Sequence, residues 1–275
     1  MSELAEARKA HQNERAKFPA ERDNSVSANY RRVQKVTTET LRAALLAADP
    51  DMAKIMTGKN EGEDATDSES GNKRAMVPIT DVEGLPRVLL IGDSISIGYT
   101  LQVREKLDGK ANVHRVPMNA GATEVGLANI DKWLGEGKWD VIHFNFGLHD
   151  AKYASATTQR ATREQYVANL QQLIDRMKLT GAKLVFATTT PIPETLEYGK
   201  AKGNRMFDGI PERNALAVEL MKKNGVAVDD LYALVLPVRE TACRPSDVHF
   251  TPEGYELLST AVAKSIEEQL PGTNP

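Results

Sequence analysis

A serine on the turn after a buried strand and a histidine just ahead of a well-capped helix are the groups in this sequence best placed to do chemistry. Ser94 lies in Val88-Leu89-Leu90-Ile91-Gly92-Asp93-Ser94. Four apolar residues in succession, without alternation, predict a strand buried on both faces and stopped by the glycine. A serine at the carboxyl end of such a strand, opening a helix, stands where open α/β sheets bind ligands. Helix N-terminal amides there favour developing negative charge. The chemistry this position suits is attack of the hydroxyl on an ester carbonyl. That needs a base within hydrogen-bond reach, a group orienting the base, and donors aimed at the oxyanion. His249, in Ser246-Asp247-Val248-His249-Phe250, is the best base available. His11 falls in a polar arm, His114 and His143 fall within strand patterns, and His149 ends a strand. The competing reading makes Ser94 a turn serine that only caps its helix.

Gly92-Asp93-Ser94 resembles the first block of the SGNH (GDSL-type) hydrolases, and the His249 segment resembles their fifth block, where the catalytic histidine precedes the last helix. The resemblance covers residues 88–269. It implies Ser94 as nucleophile, His249 as base, and an oxyanion hole built from the amides of Ser94 and Gly121 with a side chain from the third block. Two departures stand out. The third block usually reads Gly-x-Asn-Asp and here reads Gly147-Leu148-His149-Asp150, so His149 replaces the asparagine donor with a titratable one. The usual orienting aspartate, three residues before the histidine, is here Ser246, while Asp247 stands two before. Asp247 is expected to orient His249; the alternative is a Ser-His dyad held by a backbone carbonyl. Asp93, Thr190 and Tyr153 are weaker candidates for substrate contact, as are Thr189, Tyr198 and Asn214. Trp133 and Trp139 read as structural.

The elements that must position these groups follow from residue 87 onward. Strand and helix patterns alternate, the signature of βαβ units and a parallel sheet. Strands are expected near 88–91, 112–116, 139–146, 183–189 and 226–228. Helices are expected after Ser94, after a Thr123 cap, after the Thr162/Gln165 capping box, from Pro211 to Gly225, and after Thr251-Pro252. Five strands in this rhythm predict a flavodoxin-like three-layer α/β/α sandwich, strand order 2-1-3-4-5, with Ser94, Gly121, His149 and Thr190 on one edge. Residues 1–56 read as an N-terminal helical arm, 57–80 as a polar flexible linker, and 81–275 as the hydrolase domain.

Composition narrows the function. The 275 residues are 27% charged with a formal net charge of −3, so no basic field calls for nucleic acid. The single cysteine, Cys243, excludes an intrachain disulfide and a cysteine-paired zinc site. The acidic run 61–69 lacks the spacing of a calcium loop. No metal or other cofactor is expected. No apolar stretch is long enough to span a membrane, and the first residues hold no signal-like apolar run. The compartment stays open: cytoplasmic, or secreted or periplasmic if a targeting segment was removed. The resulting expectation is a serine esterase acting on short-acyl carboxylic esters, including acetylated glycans. The alternatives are a carbohydrate-binding module on a decayed hydrolase scaffold and a docking role for the N-terminal arm.

Overall fold

The computed structural model describes residues 72–153, 159–196 and 206–272, all within the unit Glu63–Tyr153 plus Gln159–Pro275. The expected N-terminal arm, most of the linker and Tyr198 lie outside the described residues.

Five strands form one parallel sheet: β1 (Arg87–Ile91), β2 (Asn112–Arg115), β3 (Val141–Phe144), β4 (Lys183–Ala187) and β5 (Ala227–Asp229). Their order is β2-β1-β3-β4-β5, the expected 2-1-3-4-5. Side chains alternate across a strand, so an uninterrupted apolar run serves two cores at once. Val88 and Leu90 face one core and Leu89 and Ile91 the other. Helices α1 (Ser94–Lys106) and α8 (Pro252–Glu267) cover the first face, with Tyr99, Val103, Leu258 and Val262 buried there. The second is covered by α2 (Thr123–Leu134), α4 (Arg163–Lys178) and α5 (Ile210–Asn224), through Ile130, Leu170, Leu173 and Met221. Three further helices are single turns: α3 (Leu148–Ala151), α6 (Leu231–Val235) and α7 (Arg239–Ala242).

Helix ends follow their local chemistry. Thr162 and Gln165 make both bonds of the capping box that opens α4. Thr251 caps α8 by accepting from the Gly254 amide at 3.1 Å, and Gly225 closes α5 at φ 65°. Thr123 corrects the sequence reading. The cap of α2 is Ala122, which makes no side-chain bond, because the Thr123 hydroxyl donates instead to Asp150 at 2.5 Å. The strand expected over 139–146 shortens to Val141–Phe144, and the one expected over 183–189 ends at Ala187.

The sequence order reverses at the pair β1 and β3, and the chain segments leaving their carboxyl ends part to opposite faces of the sheet. Such switch points open the crevice used by open α/β folds. Ser94 follows β1, and Gly147 to Asp150 follow β3.

Candidate active site

The turn that carries Ser94 is built by its neighbours. Asp93 caps α1, its Oδ1 accepting from the Ile95 amide at 2.9 Å. Gly92 is required by space, since a Cβ there would meet the Ser96 Cβ at 2.6 Å. Ser94 is the first residue of α1, so its amide has no intrahelical acceptor, and it finds none elsewhere among the described residues.

His249 arrives from the far end of the chain on a tight loop. Cys243 pairs with Phe250 across an antiparallel bridge, and the Arg244 amide donates to the His249 carbonyl at 2.9 Å. Within this loop the Asp247 amide reaches back to the Arg244 carbonyl, and Ser246 takes φ 56°, a left-handed conformation rarely adopted by residues other than glycine. The result places His249 Nε2 2.8 Å from Ser94 Oγ and His249 Nδ1 2.9 Å from Asp247 Oδ2. The second oxygen of Asp247 accepts from the Val248 amide at 2.7 Å. With Nδ1 donating to the carboxylate, Nε2 is the acceptor that faces the serine hydroxyl. The side chains of His249 and Asp247 are 27% and 28% exposed, so solvent and a small substrate reach them.

The expected oxyanion donors fare differently. His149 sits on α3 with Nε2 3.9 Å from Asp93 Oδ2. Burial pulls its imidazole below the usual histidine range, opposed by the Asp93 carboxylate. Gly121 adopts the left-handed φ of 63° expected of a turn glycine, yet its amide donates to Asn119 Oδ1 at 2.9 Å. It is therefore engaged, where the resemblance implied a free donor. Asp150 is fully buried and accepts from both the amide and hydroxyl of Thr123, so it ties α3 to α2. Burial raises its carboxyl above the usual value.

Among the weaker candidates, Thr190 is buried and lines a cavity of about 10 Å³ together with Asp93, Ser96, Asn145 and Leu148. Asn214 holds the backbone of Thr189 through two bonds. Tyr153 pairs with Gln159 and donates its amide to the Met206 carbonyl, contacts that belong to its loop. Trp133 and Trp139 are buried, the latter with its indole donating to the Leu134 carbonyl. Cys243 is buried, and burial pushes its thiol up to about 11. Among the described residues no group of acidic, histidine or cysteine side chains is arranged to hold a metal ion, and no helix is long and apolar enough to cross a membrane.

The sequence reading missed Arg115. It ends β2 beneath the serine turn, 8% exposed. Its Nη1 donates to Ser96 Oγ at 2.6 Å, and its Nη2 to the carbonyls of Gly92 and Asp93 at 2.9 and 3.2 Å. A second space missed by the sequence reading is a cleft of about 470 Å³ between the segment after β4 and the His249 loop. Pro193, Glu194, Arg239, Arg244 and Ser246 are among its lining residues.

Residues 90–257 match the model of the GDSL-like lipase/acylhydrolase family. Among solved structures, a lipase/acylhydrolase from Enterococcus faecalis superimposes with a TM-score of 0.55 at 23% identity, covering 70% of this chain and 100% of its own. An acetylxylan esterase from Geobacillus stearothermophilus gives 0.55 at 17% identity, over 66% of this chain and 94% of its own. A GDSL-like lipase from Bacteroides thetaiotaomicron gives 0.53 at 14% identity, over 73% and 97%. These likenesses establish a shared fold. A comparison with curated proteins finds no match.

Proposed function

Because the chain belongs to the GDSL-like lipase/acylhydrolase family, we propose that it hydrolyses carboxylic esters with short acyl groups through Ser94, and that its natural esters are O-acetyl groups on carbohydrate. The observation that carries this reading is the single imidazole of His249, bonded on one side to the Ser94 hydroxyl at 2.8 Å and on the other to the Asp247 carboxylate at 2.9 Å.

In the proposed reaction His249 Nε2 takes the Ser94 proton as Oγ bonds to the ester carbon. The imidazolium that forms is stabilised by Asp247, which also fixes the tautomer. The carbonyl oxygen becomes an oxyanion held by the Ser94 amide and the His149 N–H, and by the Gly121 amide once the Asn119 side chain turns off it. Collapse breaks the bond to the alcohol, which leaves with the proton from His249. A water, deprotonated by the same imidazole, then releases the acid and restores Ser94.

The size of the two spaces supports the substrate class. The cavity beside Asp93 and Thr190, about 10 Å³, has room for about one water or one methyl group, which suits acetyl. The larger cleft against the His249 loop is lined by arginine, glutamate and serine, a polar surface suited to a hydroxylated alcohol moiety. Acetate release from acetylated xylo-oligosaccharides tests the carbohydrate part of the reading. Turnover of p-nitrophenyl acetate without any release of acetate from acetylated glycans would restrict the proposal to simple esters.

A further inference from the structure

Arg115 is an expensive residue to bury. A guanidinium taken out of water is ordinarily matched by a carboxylate, but the bonds of Arg115 go to one hydroxyl and two backbone carbonyls. Its Nε, also buried, has no partner among the described residues. Burial pulls its basicity down to about 10, which leaves it cationic at neutral pH. The Asp93 carboxylate lies near enough to favour its charge, yet the guanidinium directs its bonds to the carbonyls and hydroxyl of the serine turn.

What it does hold is the backbone just before the nucleophile. The two carbonyls it binds are those of Gly92 and Asp93. In a trans peptide the C=O of one residue and the N–H of the next point in opposite directions, and no cis peptide is present among the described residues. The Asp93 carbonyl also accepts from the Ile97 amide at 3.0 Å, so Arg115 acts together with the first turn of α1 to aim the Ser94 amide away from the guanidinium. The same guanidinium fixes Ser96, whose carbonyl accepts from Thr100 Oγ1 at 2.7 Å. The Gly92 carbonyl also accepts from the Ala120 amide at 3.0 Å, which ties in the loop that leads to Gly121.

We infer that Arg115 is the positioning residue of the oxyanion hole: by clamping the Gly92 and Asp93 carbonyls from below, it orients the Ser94 amide toward the developing oxyanion and adds a positive field beneath it. The inference rests on the esterase reading above. Arg115 does not touch the substrate; it acts through the peptide plane between Asp93 and Ser94. Lysine has one point-like donor group on a flexible stem and cannot reproduce a planar fork that reaches three acceptors.

The test uses Arg115→Lys and Arg115→Met in the full chain, with kcat and KM on p-nitrophenyl acetate, thermal unfolding, and backbone hydrogen exchange of the segment 92–97. A lost oxyanion donor costs about 10²- to 10³-fold in kcat. A decrease of that order is expected in both variants with KM little changed, the signature of an interaction made in the transition state. Arg115→Met is expected to lower the unfolding temperature, since the buried Ser96 hydroxyl loses its donor and the buried Asp93 carboxylate a neighbouring cation, so kcat is compared well below both unfolding transitions. Exchange over 92–97 is expected to quicken in both. Wild-type kcat in Arg115→Lys or unchanged exchange over 92–97 would each overturn the inference. The Ser94→Ala variant, run alongside, separates the two levels. If Ser94→Ala is inert and Arg115→Lys is fully active, the esterase reading stands and only the positioning role falls. If Ser94→Ala remains active, the esterase reading falls, and the exchange result still decides whether Arg115 holds the turn.

Discussion

Asp247 reaches His249 across a single intervening residue. Its Oδ2 lies 2.9 Å from the imidazole Nδ1 while its Oδ1 caps the Val248 amide between them. The left-handed Ser246 makes this possible by folding Asp247 back over the turn. On the proposed reading the three side chains act as a triad with Asp-x-His spacing. Asp247→Asn keeps the shape but can donate from its amide toward Nδ1, favouring the wrong tautomer. It is expected to lower kcat by about 10³- to 10⁴-fold. Steady-state kinetics on p-nitrophenyl acetate check this, and a loss under tenfold would point to the dyad.

His149 gives the site a titratable group. Burial holds its imidazole below the usual value, with Asp93 opposing, so the unfolded chain takes up this proton at about pH 6.5 and the folded chain only at lower pH. Between those two values the unfolded state binds more protons, and stability falls as pH drops through that window. His149→Asn keeps an N–H donor and is expected to retain most of the activity at neutral pH. Its unfolding temperature should decline less than that of the wild type between about pH 7 and about pH 5. Parallel melting curves for the two proteins would contradict this.

Asp150 is expected to matter for stability before chemistry. Asp150→Ala leaves the buried Thr123 amide without its acceptor and the Thr123 hydroxyl with Asn169 as its remaining partner, at a cost of about 2 kcal/mol. For a domain of this size that lowers the unfolding midpoint by roughly 4–8 °C. Calorimetry or circular dichroism reads the shift, and an unchanged midpoint would show that the Thr123 bonds contribute nothing net.

On the proposed reading, the cavity that Thr190 lines takes the acyl group. Thr190→Ala removes a methyl and a hydroxyl from its wall. It is expected to raise the kcat/KM ratio of p-nitrophenyl butyrate to acetate by roughly tenfold, the discrimination one methylene can carry. A ratio unchanged by the variant would place the acyl group elsewhere.

The sequence made some of this legible for physical reasons that differ from residue to residue. Strand β1 could be read because Val88 to Ile91 serve two cores. The capping box at Thr162 could be read because its bonds are local. Ser94 and His249 were singled out by their positions relative to a strand end and a helix start, and the structure brings their side chains to 2.8 Å. What could not be read depends on bonds between distant segments or on one backbone angle. Thr123 seemed a cap because its acceptor, Asp150, lies 27 residues away. Gly121 seemed a free donor because nothing in the spacing shows that Asn119 folds onto it. The reach of Asp247 depends on Ser246 at φ 56°. Arg115, at the end of a short strand, carries no signal that its guanidinium turns inward.

The most direct test of the account is the initial rate of p-nitrophenyl acetate hydrolysis by the wild type and by Ser94→Ala, each corrected for spontaneous hydrolysis, with a serine-directed phosphonate to identify the labelled residue. Wild-type turnover is expected to fall by at least about 10³-fold in Ser94→Ala, with the label on Ser94. Wild-type turnover that survives Ser94→Ala, or a label carried by another residue, would contradict it.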